Sequence, residues 1–369
     1  MAREIIWRKT IPILMGTAIA LYLAGCATGP ADEEKGYLFY PSLPNPPYIQ
    51  YLATFSNEND VKGGVGSFGK FILGGEANIP GVEKPYGTAL YDGKIYVVDA
   101  RGGGYAIFDL KAQDFRFVRG SGGGVMKKPI NIVIDSDGSK YITDTLRQQV
   151  LVYDREDNYL QAFGEEGELK PSGVAVAGDR LFVSNLLKQN IHVLDKRSGE
   201  LLFKFPPEGA KDPEHIGHPT NLTVSDGHIF VTDTTGAKVV KFTTSGEYVT
   251  TIGRMGTNIG EFARPKGLAV DRAGNLYVAD AAFENVQIFT EEGKLLLFFG
   301  GPGYERENIN LPTAVAVDYD NVEYFRQYAA PDFNLEYVIL VASQFGVSKV
   351  NVYGFGKMAN MDYSTPESL

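Results

Sequence analysis

Six segments of this chain open on a proline and continue in alternating or wholly apolar residues: PYGTALYDG, PINIVIDSDG, PSGVAVAGD, PTNLTVSDG, PKGLAVDRAG and PTAVAVDYD. Their prolines, Pro85, Pro129, Pro171, Pro219, Pro265 and Pro312, stand 42–48 residues apart. A fixed period of that length belongs to a propeller or a solenoid. The content of one period decides between them. After Pro265 come GLAVD, LYVAD, VQIFT and LLLFFG, separated by the turn-rich RAGN, AAFEN and EEGK. These are four short strands with no helical periodicity between them. Four strands per repeat, six times over, predict an all-β six-bladed β-propeller across residues 48–357. The sixth repeat runs out of chain before its fourth strand. YLATFS (Tyr51 to Ser56) resembles the fourth-strand runs YLQAFG, YVTTIG and LLLFFG. The N-terminal strand is therefore expected to complete the last blade and cover its open edge.

The stretch from Gly253 to Gly300 carries P-x-G-hydrophobic-A-V-D, then G-x-L-Y-V-A-D, then V-x-x-F and a closing glycine. It resembles an NHL repeat, and the other five segments match more loosely. Such propellers include peptide-amidating lyases, RNA-binding domains, sensors and many bacterial lipoproteins without assigned activity. The ends, FYPSLPNPPYIQYLATFS and VASQFGVSKVNVYGFGKM, are similar to the last group. The resemblance implies a fold and leaves function to the site. Members of that group often occur in cytochrome-rich bacteria, which implies an envelope protein partner, redox-associated in some cases.

One cysteine occurs in 369 residues, Cys26 in LYLAGCATG. It cannot form an internal disulfide or a multi-cysteine metal site. Arg3, Arg8 and Lys9 precede an apolar run of about 15 residues that ends in small side chains, the pattern of a secretory signal. Leu23-Ala24-Gly25-Cys26 resembles the bacterial lipobox, with Ala27 following. The resemblance implies cleavage before Cys26 and lipidation of its thiol, with anchoring in the cell envelope at the outer membrane. An uncleaved anchor or a plain signal peptide is the alternative. The expected organisation is a signal peptide over 1–25, a lipidated cysteine and proline-rich stalk over 26–47, the propeller over 48–357 and a tail over 358–369. A proline-rich recognition peptide is the other reading of 26–47. The net charge of −10 falls further once residues 1–25 are lost. That balance argues against nucleic acid, which needs a basic footprint.

Asp99, Asp144, Asp233 and Asp280 end the second strand in four repeats, with Asn185 and Gln344 in the other two. An aspartate there is expected to bond turn amides rather than a metal. His192, His215, His218 and His228 give no zinc constellation. Asn131 and Asn221, two places after their prolines, could face the channel, but no acidic residue joins them to hold calcium. No cofactor is expected, although calcium or zinc in the channel stays open as an alternative. The positions before the prolines are Lys84, Lys128, Lys170, His218, Arg264 and Leu311. With Arg147 and other loop cations they are expected to ring one mouth of the channel. Such a ring on an acidic protein would attract anions or an acidic segment. Between Asp318 and Tyr337 an insertion carries Tyr324, Phe325, Tyr328 and Phe333, either partner anchors or a plug packed under the propeller.

Function is therefore expected to be binding: a lipid-anchored scaffold that presents one propeller face to a protein partner or anionic ligand. The alternative is a propeller enzyme of the amidating-lyase or lactonase type with a channel metal.

Overall fold

The computed structural model describes residues 36–62 and 79–364. Cys26, the segment 1–25 and residues 26–35 lie outside the described residues. The propeller falls within the unit Leu38–Leu369.

Five four-stranded antiparallel sheets occupy residues 85–118, 129–163, 171–205, 219–252 and 265–299. Within each, the four strands lie side by side in chain order. The sixth sheet joins Pro312–Asp318, Phe333–Ser343 and Val350–Met358 to Ile49–Phe55, as the sequence predicts. Ile49 pairs with Phe355 and Phe55 with Val350, so the ring closes through residues about 300 apart in sequence.

Each blade's two middle strands are covered on both faces by its neighbours. They therefore read as continuous apolar runs, such as Ile95–Val98 and Leu181–Val183, rather than as alternation. Six apolar clusters result, one at each interface between neighbouring blades. The cluster joining blades six and one also takes in Phe55 from the closing strand and Phe325 and Phe333 from the insertion.

Each repeat proline starts the innermost strand of its blade, and a β-bulge follows it in every blade. A bulge re-aims the next side chains. Two residues beyond the proline, blades one, three and five carry Gly87, Gly173 and Gly267. A Cβ on Gly173 would come within 2.8 Å of the Asn221 backbone, and one on Gly267 within 2.5 Å of Ala314 Cα. Glycine in alternate blades lets the inner strands approach and leaves a narrow axial channel.

Two expectations need correction. The segment expected as a free stalk contributes Phe39–Tyr40 as a fifth strand on the sixth blade. Phe39 is buried against Phe333, with ring centroids 5.8 Å apart, and Tyr40 packs on Phe299 and Tyr353. Burying these rings stabilises the docked strand over a solvated spacer. The expected tail is also tied down. The Tyr363 hydroxyl donates to the Pro47 carbonyl at 2.8 Å, and its ring lies 5.1 Å from that of Tyr48.

Candidate functional site

The inner strands begin, and the second strands end, on one face of the ring. There each strand-ending carboxylate is buried and gathers backbone amides. Asp99 accepts from the amides of Glu83, Lys84, Arg101 and Gly102. Asp144 does the same for Lys127, Lys128, Leu146 and Arg147, and Asp280 for Ala263, Arg264, Ala282 and Phe283. Asp233 holds Gly217, His218 and Gly236, while Asn185 holds Lys170 and Leu187. These five side chains therefore fix the backbone of the five residues that precede the repeat prolines. Blade six departs from this pattern: Leu311 donates its amide to Glu284.

Lys84, Lys128, Lys170 and Arg264 form no ion pair among the described residues. Glu168, a neighbour that could have neutralised Lys170, pairs instead with Lys188 at 3.8 Å. Lys84 sits over the exposed Phe345 ring, 5.7 Å from its centroid. Arg147 does not belong with these cations. Its Nη1 donates to the carbonyls of Gly123 and Val125, and Nε and Nη2 donate to Gln149, so it latches two loops together.

Lys266, one residue beyond Pro265, is 6 % exposed and likewise unpaired with any described carboxylate. The bulge after Pro265 turns it inward. From blade five it reaches past blade six to blade one, where its Nζ lies 5.1 Å from the Tyr86 ring centroid and faces the Tyr86 hydroxyl. Gln344 of blade six also faces that hydroxyl. Burial, reinforced by the charges of Arg264 and Lys84, pulls the Lys266 ammonium below the usual lysine range. Burial alone would raise the Tyr86 phenol, but Lys266, Gln344 and Lys84 together bring it below its ordinary value. His218 is held below the usual histidine range by burial and by the charges of Lys170 and Lys266, against the pull of Asp233. Lys84, Lys170, His218 and Arg264 thus share one electropositive mouth centred on Lys266, and Lys128, Lys170 and Arg264 are exposed to solvent. The positions before and two after each proline do not reach Lys266, which stands between them. The signal was there: Tyr86, Ile130, Ser172, Thr220, Lys266 and Thr313 include a single charge.

Below this level Asn131 donates from its amide to Asn221 Oδ1 at 2.6 Å, and Asn221 Nδ2 donates to the Thr313 carbonyl. Under that bridge lies a cavity of about 260 Å³ walled by small and aliphatic inner-strand residues. A channel metal does not fit these side chains. Calcium wants several carboxylate oxygens and zinc wants converging imidazoles or thiolates. The repeat aspartates are occupied by backbone amides, and an ammonium projects into the axis. Among the described residues no three of His, Cys, Asp and Glu cluster as ligands.

The insertion divides. Phe325 and Phe333 are buried in the cluster between blades six and one and cannot act as surface anchors. Asn321 Oδ1 accepts the Gly93 amide at 2.7 Å, and the Tyr324 ring lies over that glycine. Tyr328 is half-exposed, its carbonyl taken by Gln50. The insertion is a plug under the propeller, because its aromatics have an apolar interface within reach.

A family model described as a 6-bladed beta-propeller matches residues 203–295. The protein brain tumor of Drosophila melanogaster is 29% identical over 146 residues, which cover 37% of this chain and 14% of that protein. The match thus spans a small part of that relative's length. A structural-genomics protein of unknown function from Bacteroides thetaiotaomicron superposes with a TM-score of 0.57 at 15% identity, over 83% of this chain and 75% of that one. Virginiamycin B lyase from Staphylococcus aureus superposes with a TM-score of 0.52 at 14% identity, over 73% and 80%. At these identities the likeness is one of fold: a six-bladed propeller with NHL-like repeats.

Proposed function

We propose that this chain is a binding scaffold that offers the mouth face of its propeller to a protein partner through an acidic segment. One observation carries the reading. Among the described residues, the loops of the mouth face expose Ile79, Val125, Leu146, Leu187, Met255, Ile259, Tyr304, Phe345 and Val347, whereas the loops of the opposite face expose Leu43 and Tyr328. Scattered exposed apolar residues need no explanation, but their collection on one face around unpaired cations does. Protein interfaces combine such apolar contacts with a polar centre or rim that fixes register. The cations select an acidic insert by charge complementarity.

In the same reading Cys26 carries the lipid that ties the propeller to the outer membrane of a bacterial envelope. More than one acyl chain would make that tether stable. Cys26→Ser is then expected to move the protein from the membrane to the soluble fraction and abolish incorporation of a radiolabelled fatty acid.

The partner reading is tested by crosslinking mass spectrometry on the native protein in its own cells. Reproducible links from Lys84, Lys128 or Lys170 to an acidic stretch of one protein are expected. Lys84→Gln, Lys128→Gln, Lys170→Gln and Arg264→Gln together should weaken that interaction at least tenfold at low salt. An interaction unchanged in this variant, or links arising only from the opposite face, would overturn the reading.

A further inference from the structure

We infer that Lys266, Tyr86 and Gln344 form a pocket for a single carboxylate group at the floor of the mouth. The inference deepens the proposed binding face and rests on it. Its first support is an unbalanced charge. Lys266 is 6 % exposed and has no carboxylate partner among the described residues, although a buried ammonium is costly unless it is paired. The nearby Lys84 and Arg264 make that cost larger, and they push the Lys266 ammonium in the same direction as burial does. A bound anion would relieve all three.

The second support is independent of charge. Gln344 is 7 % exposed, and its Nε2 finds no acceptor of good geometry. It faces the Tyr86 hydroxyl, as Lys266 does. An unused buried N–H is rare in folded proteins and marks a missing partner. In the other five blades the corresponding side chain is an aspartate or asparagine that accepts backbone amides. Blade six alone brings a longer side chain with a free donor to this position. Blade one alone brings a phenol to the place after its proline, and blade five alone a lysine. Ammonium, phenol and amide come from three different blades and converge in one place.

The donor set selects the ligand. One buried ammonium balances one negative charge, and the phenol and the amide add neutral donors to its oxygens. Succinate can place one carboxylate on the floor and leave its second toward Lys84 and Arg264, whereas a phosphate dianion brings both charges onto one desolvated ammonium. The carboxylate can belong to an acidic side chain of the partner or to a free small acid, since the chemistry is the same.

The test is isothermal titration calorimetry on the full chain. Succinate, a Glu-rich peptide and inorganic phosphate are the probes, each at matched ionic strength. Succinate and the peptide are expected to bind saturably at one site and more tightly than phosphate. Lys266→Met should weaken both at least tenfold, and Tyr86→Phe about fivefold. Lys266→Met removes an unpaired charge while keeping the volume, so its melting temperature should not fall. That comparison separates loss of the pocket from loss of the fold. Gln344→Leu provides a second variant that leaves every charge in place. Carboxylate binding unchanged in both Lys266→Met and Gln344→Leu overturns the pocket. Equal binding of phosphate and succinate overturns it too, as a general cationic field. The two readings fail separately. If partner crosslinks persist from the mouth lysines while succinate ignores Lys266→Met, the face stands and the pocket falls. Succinate bound through Lys266, with no crosslinks from the mouth face, leaves the pocket standing for a free acid and removes the protein partner.

Discussion

The Asn131 side chain donates a 2.6 Å hydrogen bond to Oδ1 of Asn221, so blades two and four, which are not neighbours, are joined across the axis of the ring. The bond separates the cationic mouth from the cavity below. Replacing Asn221 with Ala removes it and leaves a polar amide on Asn131 unpaired. We expect a loss of about 1–2 kcal/mol in urea unfolding. The double variant with Asn131→Ala should cost little more than the worse single variant, since both remove the same bond. Simple additivity would show that the two amides act independently.

Lys140 and Asp157 form an ion pair of 2.9 Å within blade two, at its face toward blade one, with side chains 1 % and 5 % exposed. Tyr105 also donates to Asp157, at 2.8 Å, and Lys140 Nζ donates to the Asp154 and Arg155 carbonyls. Asp157 has a φ of +69°, which asparagine tolerates as well. Asp157→Asn therefore isolates the charge. It should destabilise the fold by about 3–5 kcal/mol by stranding the ammonium. Adding Lys140→Met should restore most of that loss, as read from denaturant midpoints.

Gln50 is fully buried in the closing strand, where it accepts the Ala330 amide at 3.0 Å and donates to the Tyr328 carbonyl at 3.1 Å. It fastens the insertion to the strand that completes the ring. Gln50→Ala leaves a buried amide without an acceptor and should cost about 1–3 kcal/mol. Hydrogen exchange should rise first in residues 322–330, ahead of the blade cores. Uniform exchange across all blades would contradict a local role.

His192 is buried in blade three, where Asn185 Nδ2 donates to its Nε2 at 3.0 Å. Burial, helped by the charge of Lys204, pushes the imidazole from 6.5 down to about 4. The unfolded chain thus takes up this proton at a higher pH than the folded one. Its contribution to stability is intact above pH 6.5 and falls as pH drops toward 4. Unfolding free energies compared at pH 7.5 and 4.5 should differ less in His192→Gln than in the parent. An identical difference would assign the acid sensitivity to other groups.

Blade number, strand order and ring closure were legible because they rest on period and alternation, which survive substitution at single positions. The aspartates ending the second strands were legible as amide acceptors for the same reason: their turn chemistry is local. The docking of Phe39 and Tyr40 was hidden, since prolines announce extended backbone but not what an extended strand finds to lie against. The burial of Phe325 and Phe333 was hidden too, because an irregular insertion has no period from which a buried side can be read. Arg147 looked like its neighbours Lys128 and Lys170. What removes it from them is the Gly123 carbonyl, 24 residues away in sequence. Lys266 was within reach of comparison between repeats, whereas its meeting with Gln344 depends on bulges that turn side chains from three blades toward one point.

The strand Ile49–Phe55 is made before all five complete blades, and its partner Val350–Met358 only after them. A chain leaving the ribosome can build blades one to five in order, each on the previous one. The first strand must wait, unpaired, while every intervening blade is synthesised. Any chain that ends prematurely lacks its clasp and carries one bare sheet edge at each end of a broken circle, surfaces that chaperones and proteases recognise. Completion of the sixth blade is thereby written into the fold as a condition of assembly, and a copy that stops short of it identifies itself for removal.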